Sequence, residues 1–209
     1  MRVGVMQAAS QKGKNSFLEK GVRGAVPDDW EVVNFGVFPE EESDISYVEV
    51  ALCAGLLLES GAVDFIVTGC SSGQGMALAL NSLPGVVCGY TPTPADAFLF
   101  GRINGGNAVS CPLGLGWGWN GELNFNATMR ALFDGPFGEG YPPGDASRKR
   151  RDMDRLRGMA RACRVEFGQA MERMDPALVR RALHFANAFS YMQAHGTNGS
   201  FVEKLAAYR

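Results

Sequence analysis

The segment Val63–Gly85, VDFIVTGCSSGQGMALALNSLPG, carries the most legible chemistry of the chain. An apolar, strand-like run ends at Cys70, enters a loop of serines and glycines, and opens into a helix-like segment. A side chain at such a junction meets unpaired backbone N–H groups and the positive end of a helix, both of which favour negative charge. A thiol there is stabilised as the thiolate, at once nucleophile and base. Gly73 and Gly75 let the backbone approach a ligand closely, while Ser71 and Ser72 add hydroxyl groups. The loop therefore has the make-up of a nest for a phosphate or an oxyanion. Cysteine is also among the most buried residue types, so the loop alone leaves Cys70 either a catalyst or a small core residue. The Lys-Ser/Thr ending of a P-loop and the GxGxxG spacing are both missing, which disfavours nucleotide binding.

The elements that must position this loop follow from alternating apolar and helix-periodic segments. Strands are predicted at 2–6, 31–36, 63–69, 85–90 and 107–111. Between and after them, helices are predicted over roughly 13–25, 46–61, 73–83, 93–105 and 119–135. Repeated βαβ units of this kind build a parallel sheet with helices on both faces. The expectation is a three-layer, Rossmann-like α/β domain over 1–135, with five parallel strands in flavodoxin-like order. Its ligand belongs at the carboxyl ends of the strands, where MQAASQKG after the first strand faces GCSSGQG after the third. A Gly/Pro-rich linker, 136–146, precedes an arginine-rich helical extension over 147–209, set against the core or a partner subunit.

Bulk properties remove several classes of function. A net charge of −2 over 209 residues gives no electrostatic case for nucleic acid or a membrane surface. No run approaches the ~20 apolar residues of a membrane span, and MRVGVM lacks a signal-peptide core, so the cytoplasm is the default location. Five widely spaced cysteines without a CxxC pair read as free thiols, with Cys53, Cys88, Cys111 and Cys163 in the core. His184 and His195 are the two histidines, too few and too far downstream to supply a zinc site. Trp117 and Trp119 are candidates for a pocket rim or for packing.

Cys70-Ser71-Ser72-Gly73-Gln74-Gly75-Met76, with Asn81, Pro84 and Gly85 in register, resembles a family motif Cys-Gly-Thr-Gly-x-Gly-Met followed by Ala-Asn-Lys-x-x-Gly-Ile. Upstream, Asp44-Ile45-Ser46-Tyr47-Val48 is similar to Asp-Tyr-Pro-x-Tyr-Ala, and downstream Ile103–Val109 is similar to His-Asn-Asp-x-Asn-Val. The family is that of type B ribose-5-phosphate isomerases and galactose-6-phosphate isomerases. The resemblance implies a Rossmann-like fold, a homodimer or higher homo-oligomer, and neither metal nor cofactor. It implies aldose–ketose interconversion of a phosphorylated sugar through an enediolate. Cys70 would be the base between C1 and C2, and the Ser72 hydroxyl with the Ser71–Gly75 amides would stabilise the enediolate oxygens. Asn104 and Asn107 would hold sugar hydroxyls, and Tyr47 would line the pocket.

The chain departs from the family at its ring-opening half. The Asp-His pair after the first strand is Ala8-Ala9 here, and the histidine credited with opening the sugar ring falls at Ile103. In place of the Gly-Gly-Arg-His stretch stands Tyr141-Pro142-Pro143, followed by a basic run at 148–151 and Arg155. Arg148, Arg151 and Arg155 share a helix face at i, i+3, i+7 spacing and are the phosphate-binding candidates, from this or a neighbouring subunit. The plainer reading of that run is a solvated helix face. The expected function is a metal-independent sugar-phosphate aldose–ketose isomerase. A non-catalytic sugar-phosphate-binding protein of the same fold is the alternative.

Overall fold

The structure, a computed structural model, describes residues 1–208. β1 (Arg2–Met6) leads through a 3-10 turn into α1 (Asn15–Arg23), and β2 (Glu31–Gly36) is followed by α2 (Tyr47–Glu59). Then come β3 (Phe65–Cys70), α3 (Gln74–Ser82), β4 (Cys88–Tyr90), and α4 (Pro94–Leu99) with a π-helical turn to Asn104. β5 (Ala108–Pro112) and α5 (Gly121–Leu132) complete the sheet and its near layers. Every strand pair is parallel, and the fold is the expected three-layer, Rossmann-like α/β arrangement.

The strand order is β2-β1-β3-β5-β4, which departs from flavodoxin-like order at one edge. β5 pairs with β3 from Ile66↔Ala108 to Cys70↔Pro112 and has four fully buried residues. β4 is three residues long and ends at the exposed Tyr90. The longer, better-buried strand takes the interior, and the short one blunts the edge. The change leaves the β1–β3 neighbourhood, and so the switch point, as expected.

Alternate residues of β3 feed two separate cores. Phe65 and Val67 join Leu18, Val22, Phe125 and Met129 beneath α1 and α5. Ile66 and Cys70 join α2 and α3 on the other face. That second core continues into the C-terminal helices α7 (Phe167–Glu172), α8 (Pro176–Leu183), α9 (Ala188–His195) and α10 (Gly199–Leu205). α2 is consequently covered from both sides, and nine consecutive residues, Glu49–Leu57, are buried. A helix apolar all round needs such double cover. Arg164 clamps the helices to the core by donating to the carbonyls of Asn81 and Leu83 at the end of α3. The helix between α5 and α7, Ala146–Cys163, behaves differently: none of its eighteen residues is buried.

Phe167 tests whether the C-terminal helices and the sheet unfold as one body. It is 1% exposed, packs edge-on against Phe201, and abuts Gly55 of α2. Phe167→Ala is expected to cost about 3–5 kcal/mol, read as a lower urea midpoint of a single transition. A sheet domain that melts at an unchanged midpoint would contradict the shared core.

Candidate active site

β1 and β3 lie side by side, with Val3–Val5 paired to Phe65–Val67, and the loops after them meet over the carboxyl end of the sheet. The Ala8 amide donates to the Gly69 carbonyl at 3.2 Å, and Gln11 Nε2 donates to Ser71 Oγ at 2.8 Å. An open cleft of about 670 Å³ lies there, lined by Ala8, Ala9 and Ser10, by Ser43–Tyr47, and by Cys70, Ser71, Ser72 and Gly75. Open α/β sheets bind ligands at this switch point.

Cys70 ends β3 and is 8% exposed, so its thiol belongs to the core cluster and to the cleft wall at once. The chain turns from β3 into α3 through Gly73, whose φ is +76°. A β-carbon at Gly73 would stand 2.8 Å from the Cys111 carbonyl carbon and from the Tyr90 ring. Ser110 Oγ donates to the Gly73 carbonyl at 2.6 Å, and the amides of Gly114 and Leu115 donate to the Ser71 carbonyl. With the carbonyls tied inward to β5, the amides of Ser71, Ser72 and Gly73 find no acceptor among the described residues. Ser72 Oγ accepts from the Gln74 amide, which leaves its hydroxyl hydrogen free to donate. Three consecutive free amides beside a thiol, at the start of α3, form a nest for negative charge.

The opposite wall is the loop that precedes α2. Ser46 caps α2 in a capping box with Glu49, whose Oε2 accepts from the Ser46 amide at 2.6 Å. Tyr47, 41% exposed, stands at the first turn, where a β-carbon on Gly75 would lie 3.3 Å from its ring. Arg181 of α8 reaches both sides of this turn, donating from Nε to Glu49 Oε1 and from Nη2 to Asp44 Oδ1 at 2.8 Å. Burial on its own would raise the Glu49 carboxyl, but the bonds from Arg181 and Ser46 outweigh it and hold it below its usual range. The Arg181 bond and charge also lower Asp44.

Five of the expected site residues thus line one cleft, Tyr47, Cys70, Ser71, Ser72 and Gly75, with Gly73 shaping the turn behind them. Asn104 and Asn107 lie elsewhere. Asn107 precedes β5, so the register of β5 against β3 puts it five residues, about 16 Å, from the level of Cys70. Its side chain is also committed, accepting from the Val87 amide at 2.8 Å and donating to the Gly85 carbonyl. Asn104 is exposed at the same, amino end of the sheet. So is α6 (Ala146–Cys163), whose Met153 packs on Gly105 and Gly138 and whose Arg157 donates to the Gly105 carbonyl. On α6, Arg148 pairs with Asp145 and Asp152, Arg155 pairs with Asp152, and Arg151 is exposed. No lysine or arginine lines the cleft among the described residues, and no metal-holding group of His, Cys, Asp and Glu occurs among them.

A sequence model of the family described as Ribose/Galactose Isomerase matches residues 14–119. The chain belongs to the ribose/galactose isomerase family. Two solved structures match the whole isomerase at TM-score 0.94 over 100% of this chain and 99% of theirs. One is a 4-deoxy-L-threo-5-hexosulose-uronate ketol-isomerase complexed with a tartrate, at 34% identity. The other is ribose-5-phosphate isomerase LacAB_rpiB from Vibrio parahaemolyticus, at 33% identity. The type B ribose 5-phosphate isomerase from Trypanosoma cruzi, at 20% identity, shares the fold at TM-score 0.65 over 78% of this chain and 99% of its own. No curated protein sequence matches closely enough to add a further relative. Membership carries the coarse activity, isomerisation of a sugar.

Sequence reasoning missed Gln11, although its loop was expected to face Ser71, because one glutamine among polar loop residues carries no pattern. It also missed Arg181, whose partners lie 132 and 137 positions away. Cys163 is corrected: it is exposed at the end of α6, because that helix buries no face. Cys53, Cys88 and Cys111 are buried as expected, and burial pushes their thiols up, Cys111 to about 11. Trp117 is a packing residue, tilted against Phe125 and donating to the Pro112 carbonyl, whereas Trp119 is fully exposed.

Two outcomes follow from this geometry. In the folded isomerase at pH 8, iodoacetamide is expected to label Cys163 and Cys70 while Cys53, Cys88 and Cys111 stay unmodified until urea is added; peptide mass mapping reads the order. Because Asp44 and Glu49 are depressed in the fold, their contribution to stability is fully present above the unfolded carboxylate range near pH ~4. It is lost only as pH falls further, so thermal melts of wild type and Arg181→Met should converge toward strongly acidic pH and separate near neutrality.

Proposed function

We propose that this isomerase interconverts an aldose and a ketose, or two ketol isomers, of an open-chain anionic sugar, with the Cys70 thiolate as the base. The observation that carries the reading is the run of free amides at Ser71, Ser72 and Gly73 directly after a thiol in the wall of the switch-point cleft. Cys70 would take the proton from the carbon beside the sugar carbonyl. The C–H electron pair becomes the enediolate double bond as the carbonyl π pair moves onto oxygen, where the nest and the Ser72 hydroxyl stabilise the charge. The thiol then returns the proton to the former carbonyl carbon, and the hydroxyl proton passes between the two oxygens, so that atoms and electrons balance.

Ala8, Ala9 and Ile103 stand where the family has its ring-contact acid and histidines, which supports a substrate that needs no ring opening. A phosphorylated sugar is one anion that suits α6, since guanidinium groups match phosphate geometry. A uronate is a second reading, favoured by the likeness, at 34% identity over the full chain, to the hexosulose-uronate ketol-isomerase. Either anion needs a cation, and no described residue brings one into the lining of its own cleft. A two-fold homodimer that sets the amino-end loop at Asn104 and the arginines Arg148, Arg151 and Arg155 against the partner's cleft would supply it. The exposed Leu156 and Met159 of α6, and Leu115, Trp119 and Leu123 near the carboxyl end, suit burial in such a contact.

The test is solvent exchange. Incubated in deuterated water with pentose and hexose phosphates and with 4-deoxy-L-threo-5-hexosulose uronate, the wild type is expected to place deuterium beside the carbonyl of one of them. Cys70→Ala should lower kcat by about 10²–10⁴. Absence of exchange with every sugar, despite ligand-induced thermal stabilisation, would leave the non-catalytic binding protein. Mixing inactive Cys70→Ala with an inactive Arg148/Arg151/Arg155→Ala variant should restore about a quarter of wild-type activity if sites span two copies, and none if they do not.

A further inference from the structure

We propose that Arg181 is a positioning residue of the cleft: from a C-terminal helix that does not line the site, its guanidinium holds Asp44 in the wall opposite the Cys70 loop, beside the Tyr47 turn. This rests on reading that cleft as the isomerase site. Residues 37–46 form neither helix nor strand, yet they supply the wall opposite Cys70. Their backbone is tied to the sheet layer on both sides of Ser43 and Asp44: Gln7 Nε2 donates to the Val37 carbonyl, Lys12 Nζ to the Glu41 carbonyl, and the Ala9 amide to the Ile45 carbonyl at 3.3 Å. At Asp44, and again at Glu49 across Tyr47, the tether is Arg181.

The two carboxylates play unequal parts. The Glu49 side chain is 12% exposed and holds the Ser46 cap with its other oxygen, so it is fixed whether or not Arg181 is present. The Asp44 side chain is 88% exposed and has no such second anchor. Without the guanidinium, the like charges of Asp44 and Glu49 face each other at the start of α2, and solvent draws Asp44 outward. Tyr47 keeps its place on α2, but the Ser43–Asp44 side of the cleft loosens beside it. Arg181 itself cannot drift, because Val179, Ala182 and Leu183 of the same helix are buried in the core shared with α2. The forked guanidinium spans both carboxylates at once, whereas a lysine offers a single point charge.

Three variants read this out. Arg181→Met is expected to raise KM by about two- to fivefold, the range of an exposed ion pair, with kcat changed less than about twofold. Arg181→Lys and Asp44→Asn should shift KM in the same direction by less, and added ethylguanidinium should recover part of the loss in Arg181→Met. In parallel, alkylation of Cys70 by iodoacetamide, followed on its own peptide, should quicken several-fold in Arg181→Met as the wall loosens. Unchanged KM and unchanged Cys70 alkylation overturn the proposal. So does a fall in activity that merely tracks a smaller folded fraction. If Arg181→Met does not fold, the lysine and Asp44→Asn variants decide. If the wild type turns over no sugar, the isomerase reading fails by itself, and the alkylation rates still decide the role of Arg181.

Discussion

The chain has three residues in which to turn from β3 into α3, and Gly73 makes the turn possible. Its left-handed backbone, φ +76°, lets the loop double back so that its carbonyls face β5 while its amides stay free. An L side chain there would meet the Cys111 backbone as well as an unfavourable conformation. The Cys70 side of the cleft descends from that reversal. Cys70 stays in the sheet, paired to Pro112 of β5, while the next three amides point away from any described acceptor. Donors that face an open cleft are met by water until an anion displaces it. A fold that maintains them is preorganised for charge that develops during a reaction.

The strands were legible because burial on both faces writes them as short, continuous apolar runs, as in FIVTGC, and the helices because glycine and proline punctuate them. Their order was less so. Whether β4 or β5 takes the interior is decided by how many residues each can pair and bury, a difference of two residues that sequence reading blurs. The cleft walls were legible where chemistry concentrates in one segment, as in Cys70–Gly75. They were not where one bond joins distant residues. Gln11 to Ser71 and Arg181 to Asp44 leave no periodicity to read. Asn107 shows the opposite error: its type suits a sugar hydroxyl, but both ends of its amide are spent on the Gly85 and Val87 backbone before β4 and β5.

Double cover of α2 links the remote half of the chain to the cleft. A helix buried on all sides cannot adjust its tilt without disturbing two layers, so the C-terminal helices fix the axis on which Tyr47 stands. The same packing explains why α8 can present a guanidinium at the surface and still hold it still. Rigidity is transmitted through Val179, Ala182 and Leu183, and polarity is displayed on the opposite face of a helix only two turns long.

The chemistry is divided between the two ends of the sheet, and the division follows from parallel topology. All strands point one way, so strand-to-helix loops, with their free amides, collect at the carboxyl end, and helix-to-strand returns collect at the amino end. The cleft at the carboxyl end is lined by a thiol, hydroxyls and donors, with no lysine or arginine among its described lining residues. The amino end has Asn104 and the arginines of α6 but no base. Neither set is complete for an anionic sugar, and no motion of a paired β-strand could unite them across some 16 Å. The proposed second copy, related by a two-fold axis, would bring unlike ends together with no distortion of either. The methyl groups of Ala8 and Ala9 then acquire a consistent meaning. They put methyl groups where an acid and a histidine would stand, which fits the proposed open-chain substrate and the proposed contact that would hold its charge.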